Sequence, residues 1–392
     1  ENVTVELKNA GKSISFNTDI SGKYSFSNLP LNSDYSIVPF KDDDPRNGIS
    51  TIDLVLIQKH VLGTELLKSP YNMIAADADK SNDITVLDIL ELRKLILGVY
   101  DKLPNTSSWR FMPINYQFSD PSHPWTFPDQ IDIAHLSKDE MTNDFVGIKV
   151  GDVNGTVTPH KLLGTEFRQG GSPLKFSILD ASLKAGEETT LHFTSTDFAN
   201  IEGFQFTMNF ADLKLMDIIP GKLNINQANF GLRRMNQGLI TASWNDSKGI
   251  TANQDEVLFS LKVKALKDIV LSKQLSINSK LTIAEAYENN VVKNVALTFG
   301  NKSSNYSFKL DQNTPNPFVS STLINYELPF DMKALLKVTD VTGKLIKEYS
   351  LDGSKGIHQL IIAKSDIKAT GVLYYTLESD HFSETKKMIL IE

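Results

Sequence analysis

Residues 42–63 (DDDPRNGISTIDLVLIQKHVLG) and 77–98 (DADKSNDITVLDILELRKLILG) are one unit written twice, at an offset of 35 residues. Asp42 matches Asp77, Asp44 matches Asp79, Asn47 matches Asn82 and Ile49 matches Ile84. Ser50 matches Thr85, Asp53 matches Asp88 and Gly63 matches Gly98. The kept places are positions 1, 3, 6, 8, 9 and 12 of a twelve-residue loop, the spacing at which oxygen ligands wrap a calcium ion. Each loop runs into a stretch with helical periodicity, Thr51–Leu62 and Val86–Leu97, closed by a glycine suited to the left-handed C′ position. Helices of about twelve residues are marginal alone. A loop whose carboxylates repel without an ion therefore turns binding energy into folding energy.

In such a loop positions 1, 3 and 5 give side-chain oxygens, position 7 a backbone carbonyl, position 9 often a water-mediated contact and position 12 a bidentate carboxylate. The second copy supplies Asp77, Asp79, Ser81, the carbonyl of Asp83, Thr85 and Asp88. Asn82 stands at position 6, where asparagine tolerates the left-handed turn that usually takes glycine. The first copy supplies Asp42, Asp44, the carbonyl of Gly48, Ser50 and Asp53. Its position 5 is Arg46, whose side chain cannot ligate a cation. Either the Arg46 carbonyl or Asn47 substitutes there, or Pro45 bends the loop. An acidic run such as KDDDPRN reads alone as a solvated turn, but two copies in register point to Ca2+ at two sites; magnesium suits such long carboxylate-rich loops less well. The string GDVNGT at 151–156 also places Asp152 and Asn154 two apart, like positions 1 and 3. Leu163 falls at its position 12, so the string reads first as a turn. A contribution to a third site or to the first loop is the alternative.

A chain of 392 residues predicts two to four domains, because single cores stop growing near about 250–300 residues. A net charge of −7 gives no basic face for nucleic acid. With no cysteine there are no disulfides, thiolate metal sites or cysteine nucleophile. No apolar run is long enough to cross a membrane as a helix. The chain opens on Glu1 and a strand-like NVTVEL, without a charged-then-apolar leader, so a larger protein is expected to precede it. Residues 1–40 alternate in period two at Val3, Val5 and Leu7, Ile14 and Phe16, Tyr24 and Phe26, and Tyr35, Ile37 and Pro39, predicting a small, partial antiparallel sandwich that lacks a first strand. Residues 101–164, rich in aromatics and proline, predict an elaborated loop on the loop–helix pair. Residues 165–305 read as all-β, with FQFTMNF alternating at Phe204, Phe206, Met208 and Phe210. Residues 306–392 read as a last small β domain.

Several of these segments resemble known families. The string TDISGKYSFSNLPLNSDYSIVPF resembles prealbumin-like repeats of surface adhesins and carboxypeptidase-associated modules. The repeated loop–helix over 41–100, with a strand and not a helix before its first loop, resembles a dockerin domain, whose position 12 is commonly Asp. The order IEGFQFTMNF, LITASWND, VLFSLKVKA resembles a cohesin-like sandwich. QNTPNPF (Gln312–Phe318), INYELP, VTDVTGKLI, GVLYYTL and the terminal KKMILI resemble the type A C-terminal sorting domain of the type IX secretion system of Bacteroidetes. Together they imply a mainly β multidomain chain of antiparallel sandwiches with one small α-helical, dockerin-like insert.

The resemblances imply a non-catalytic C-terminal region of a large secreted or cell-surface protein. It would be stiffened by calcium and recognised by the type IX secretion machinery, after which a sortase-like peptidase removes the sorting domain. They also imply a cohesin- or dockerin-like partner. The two modules would dock within the chain, or between copies in an adhesin or filament, and the mid-chain position of the loop–helix pair favours the internal contact. A third reading makes the chain an accessory region of an upstream polysaccharide-degrading enzyme. Catalysis has little support in the residues. The seven histidines show no HExxH pair, and no GxSxG, P-loop or dinucleotide fingerprint appears. His60 reads as a packed or surface residue. Asp132 and Glu140 form a conceivable glycosidase pair, but 47 acidic residues offer many such pairs. Trp109, Trp125 and Trp244 read as packing residues before sugar platforms.

Overall fold

The computed structural model describes residues 1–158, 172–254, 256–289, 291–300, 308–329, 331–354, 356–379 and 382–391. The expected boundaries at 164/165 and 305/306 lie outside these residues, as do His160, Leu163 and His381. In chain order the first part comprises β1 (Thr4–Asn9), β2 (Lys12–Asn17), β3 (Tyr35–Phe40), α1 (Thr51–Val61), α2 (Pro70–Ala76), α3 (Val86–Ile96), β4 (Trp109–Pro113), β5 (Ile131–Ile133) and β6 (Phe145–Lys149). The rest is almost entirely strand, so the chain is a mainly β, multidomain protein.

The period-two alternation of β1 and β3 puts Val5, Leu7, Tyr35 and Ile37 on one buried face. Val5 stands opposite Phe16 and Pro39, and Leu7 opposite Ile14 and Ile37. The sheet order is β2-β1-β3-β5, so its fourth strand arrives from far along the chain. Tyr24 and Phe26, expected in a strand, lie in irregular backbone and pack edge-on to each other against this core.

The helices start where their caps dictate. Ser50 precedes α1 and Thr85 precedes α3, and in each the carboxylate three residues on (Asp53, Asp88) accepts the cap's N–H. Gly63 and Gly98 follow the helices at φ 68° and 67°, a conformation that costs a β-carbon about 1–2 kcal/mol. The additional helix, α2, is set by Ser69 accepting from Tyr71 N–H and by Pro70 at the first helical position. Leu54 and Ile57 of α1, Ile74 of α2, and Leu92 and Leu95 of α3 share one core with Met112, Ile148, Val150 and Val153. The 101–164 stretch is thus divided. The antiparallel β4–β6 pair and residues 150–153 close the helical core, while β5 completes the N-terminal sheet.

The next body is a sandwich. A seven-stranded sheet carries the strands Ile201–Phe210, Leu239–Ile250, Glu285–Glu288 and Val291–Gly300. A three-stranded sheet of Leu213–Pro220, Phe259–Ala265 and Glu188–Phe193 faces it. Between them Phe204 stacks on Phe206, Trp244 and Phe259, and Phe176 meets Phe193, Phe204 and Phe259 edge-on. The C-terminal body places a three-stranded sheet against a four-stranded one around Ile324, Leu336, Val338, Tyr375 and Met388. Its Tyr375 hydroxyl donates to Asp311 O and accepts from Asn313 N–H, both at 2.8 Å.

Candidate metal centres and the covered sheet face

The second loop folds back on its own carboxylates. Asp77 Oδ1 accepts Ser81 N–H (2.8 Å), Asp79 Oδ1 accepts the same N–H (3.0 Å), and Asp77 Oδ2 accepts Asn82 N–H (3.2 Å). Ser81 Oγ donates to Asp83 O at 3.4 Å. From the start of α3, Asp88 reaches back, Oδ1 to Ala78 N–H and Oδ2 to Thr85 N–H, each 2.8 Å. Lys80 (φ 60°) and Asn82 (φ 65°) make the left-handed turns that aim these groups inward. The result gathers Asp77, Asp79 and Asp88 with carboxylate oxygens within 4.8 Å of one another. Asp77 and Asp88 are fully buried. Burial, and then the neighbouring carboxylates Asp79 and Asp77, push Asp88 up to about 6; burial also raises Asp77, against which Arg110 acts. A desolvated, oxygen-only group of three carboxylates suits a hard divalent cation.

The first copy departs from the repeat. Asp42 Oδ1 accepts Ser108 N–H at 2.8 Å and its Oδ2 pairs with Lys102 at 3.1 Å. Burial acts to raise Asp42, but these bonds outweigh it and hold the carboxyl below its ordinary range. Asp44 stands at φ 44°. Among the described residues Asp42, Asp44 and Asp53 do not converge as Asp77, Asp79 and Asp88 do. The physical reason is Pro45 and Arg46: the first cannot donate an N–H to a loop carboxylate, and the second has no side-chain oxygen to offer at position 5. Arg46 turns instead toward the end of α3, beside Gly98. Gly48, Ser50 and Asp53 remain at the start of α1. Asp53 is fully buried, and its Oδ1 accepts the N–H of Val153 at 2.9 Å. Burial, and then the charge of Asp152, push it up to about 8.

The same short segment meets the sandwich. The strand Ile201–Phe210 sends Phe204, Phe206 and Met208 inward, yet Gly203, Gln205 and Thr207 on its outer face are buried as well. The loop–helix body covers Gly203 and Gln205, while Thr207 bonds Leu281 and Thr282 of the sandwich itself. Thr51 donates from N–H (2.7 Å) and Oγ1 (2.9 Å) to Gln205 Oε1 and meets Ser243 Oγ at 2.8 Å. Lys59 pairs with Glu202 at 2.8 Å, with side-chain exposures of 15% and 10%. Asn245 donates to Gln58 Oε1 at 2.7 Å and accepts from Arg93 at 2.5 Å. Thr241 and Thr282 donate to the final carbonyls of α3 at Leu97 and Ile96, 2.7 and 2.6 Å. Tyr287 donates to Glu285 at 2.8 Å and shares a hydrogen bond with Ser50. Val55 is fully buried in this seam and belongs to neither core. Sequence reasoning favoured an internal contact but named no residue of the seam, because polar residues on alternate strand positions read as solvent-facing. The signal that was present is the length of the polar, uncharged series Gln205, Thr207, Thr241 and Ser243.

The other candidates have ordinary places. Asp132 on β5 accepts from Ser36 and Gln130, and Glu140 lies exposed in irregular backbone. His60 Nδ1 accepts Leu67 N–H at 3.0 Å. Trp244 lies in the sandwich core. Trp109 and Trp125 are half-buried.

No protein-family model and no curated protein matches the chain. Similar solved structures include the Coh-OlpA–Doc918 cohesin–dockerin complex of Clostridium thermocellum, at 14% identity over 32% of this chain and 100% of that one, TM-score 0.24. The type II cohesin dyad of the adaptor ScaA scaffoldin of Acetivibrio cellulolyticus matches at 10% identity over 53% of this chain and 88% of that one, TM-score 0.26. PorZ, a surface component of the type IX secretion system of Porphyromonas gingivalis, matches at 15% identity over 28% of this chain and 15% of that one, TM-score 0.18. Among the described residues no helix is long and apolar enough to cross a membrane.

Proposed function

We propose that this chain is a non-catalytic, calcium-stabilised region of an exported surface protein. In it a dockerin-like loop–helix body is docked on a cohesin-like sandwich of the same chain, ahead of a type IX sorting domain. The observation that carries the reading is the seam at Thr51. A polar outer sheet face is buried by the chain's own repeated loop–helix unit, in which the carboxylate oxygens of the second loop converge. Asp77, Asp79, Ser81, the Asp83 carbonyl, Thr85 and Asp88 would hold one Ca2+, which neutralises the three crowded carboxylates and fixes the start of α3. Docking in cis leaves the sandwich face occupied, so assembly between copies requires exchange of the loop–helix body. That makes a stiff stalk the better reading and a filament through this face the weaker one. The resemblance of residues 312–391 to a sorting domain supports export through the type IX machinery and a cell-surface destination.

The test uses the absence of native cysteine. In the full chain, Thr51→Cys with Gly203→Cys should form a disulfide within the monomer under mild oxidation in calcium, because a β-carbon on Gly203 would lie 2.9 Å from Thr51 Cγ2. Calorimetry on the unmodified chain should show calcium binding that Asp79→Asn weakens. A monomer that never cross-links would overturn cis docking. Calcium uptake unaffected by Asp79→Asn would overturn the assignment of the second loop.

A further inference from the structure

We infer that the first calcium site is composite, its ligands divided between residues 48–53 and residues 152–156, with Asp42 and Asp44 outside it. The inference rests on the calcium reading of the second loop and adds the chain's own answer to where a first ion would be held.

The argument is a bond-for-bond correspondence with the second loop. There, Ser81 N–H is shared by Asp77 and Asp79; here, Thr156 N–H is shared by Asp152 Oδ1 (3.0 Å) and Asn154 Oδ1 (3.2 Å). Asn82 N–H bonds the other Asp77 oxygen; Val157 N–H bonds Asp152 Oδ2 at 2.8 Å. Ser81 Oγ donates to Asp83 O; Thr156 Oγ1 donates to Gly48 O at 3.1 Å. Asp88 accepts from Ala78 and Thr85; Asp53 accepts from Val153 at 2.9 Å and from Ser50 at 2.9 Å. Lys80 in the second loop and Gly155 here turn left-handed at the same place, φ 60° and 73°. Asp152, Asn154 and Thr156 thus occupy positions 1, 3 and 5, and the Gly48 carbonyl, Ser50 and Asp53 occupy positions 7, 9 and 12. In the second loop one continuous chain supplies all six; here they come from two segments.

Two further features favour a cation over a mere turn. The segments abut as closely as bare backbone allows: a β-carbon on Gly48 would lie 2.6 Å from Val157 Cα. Gly151, which leads into the clasp, leaves no room for one either, with Leu92 at 2.6 Å and Ile49 at 2.7 Å. Asp53 and Asp152 are both buried, and among the described residues neither forms an ion pair. Lys149, buried beside them, donates instead to the carbonyls of Pro45 (2.8 Å) and Val150 (3.3 Å). Two desolvated carboxylates with an amide, a hydroxyl and a carbonyl are the donor chemistry of a calcium loop.

Calcium stoichiometry of the full chain, measured by calorimetry with far-ultraviolet circular dichroism in parallel, tests this. The expectation is two ions for the unaltered chain, one for Asp152→Ala, one for Asp79→Ala and two for Asp42→Ala. Loss of an ion in Asp42→Ala with two retained in Asp152→Ala would overturn the composite site and leave the calcium reading intact. A single ion in the unaltered chain, abolished by Asp79→Ala, would do the same. No calcium uptake at all would overturn the underlying reading. Should Asp152→Ala lose helix and both ions together, Asn154→Ala decides. Weakening of one site alone by about tenfold supports the composite site, and two unchanged affinities overturn it.

Discussion

A β-carbon placed on Gly48 would lie 2.6 Å from Val157 Cα and 2.7 Å from Val157 N, in backbone that also has φ 78°. The start of the first helix and the segment after β6 touch there with no side chain between them. Gly48→Ala is therefore expected to lose about 1–2 kcal/mol from the left-handed backbone alone, and more from displacing Val157. Chemical denaturation of the variant checks the first part; retention of full stability would mean the contact is slack.

Removing calcium should affect one region. Excess EDTA is expected to reduce the helical circular dichroism contributed by residues 51–96, while the β signal of the sandwich and the C-terminal body persists. Readdition of calcium should restore the helix. No helix loss under chelation would contradict a folding role for the ions.

Lys59 and Glu202 form a pair almost withdrawn from water, and among the described residues Glu202 Oε2 has no hydrogen-bond partner. Lys59→Met leaves a buried carboxylate unpaired and is expected to cost about 3–5 kcal/mol, whereas replacing both partners with apolar residues should recover most of it. Urea unfolding of the two variants, compared in one cycle, reads the difference.

Glu285 is raised above its ordinary value by burial, with the Tyr287 hydroxyl opposing the shift. An acid raised in the folded state favours folding when protonated, so its contribution is lost as pH rises from the unfolded value through the folded one. Glu285→Gln keeps an acceptor for Tyr287 without the charge. The variant should melt above the unaltered chain at pH 7, with the gap closing toward pH 4.

In the C-terminal body Tyr375→Phe leaves Asn313 N–H and Asp311 O without the hydroxyl that joins them. A loss of about 1–3 kcal/mol is expected. Thermal melting of the C-terminal transition is the measurement, and an unchanged midpoint would show that water replaces the hydroxyl.

How much of this was legible depended on chain distance. Both repeat helices and the second loop are local patterns, and their periodicity and caps lie within a dozen residues. α2 was legible in principle from Ser69-Pro70, but its seven residues are too few for periodicity to register. β5 has three residues and becomes a strand only because β3 pairs with it. The grouping around Asp53 was legible only as the alternative reading of GDVNGT, for two reasons. Its other half arrives from residue 152 onward, and the repeat offers Asp42 and Asp44 at the spacing a reader expects. The internal contact was expected, but its residues were not legible because hydrogen-bonded burial leaves a polar pattern unchanged.

The sheet begun at residue 4 is finished by residues 131–133, and the helical core is closed by Ile148, Val150 and Val153. The sheet cannot be completed before residue 133 has been synthesised, nor the helical core before residue 153. A chain cut at the borders its repeats suggest would carry two half-built units, and truncations meant to isolate the loop–helix pair should begin at the first strand and run to residue 158.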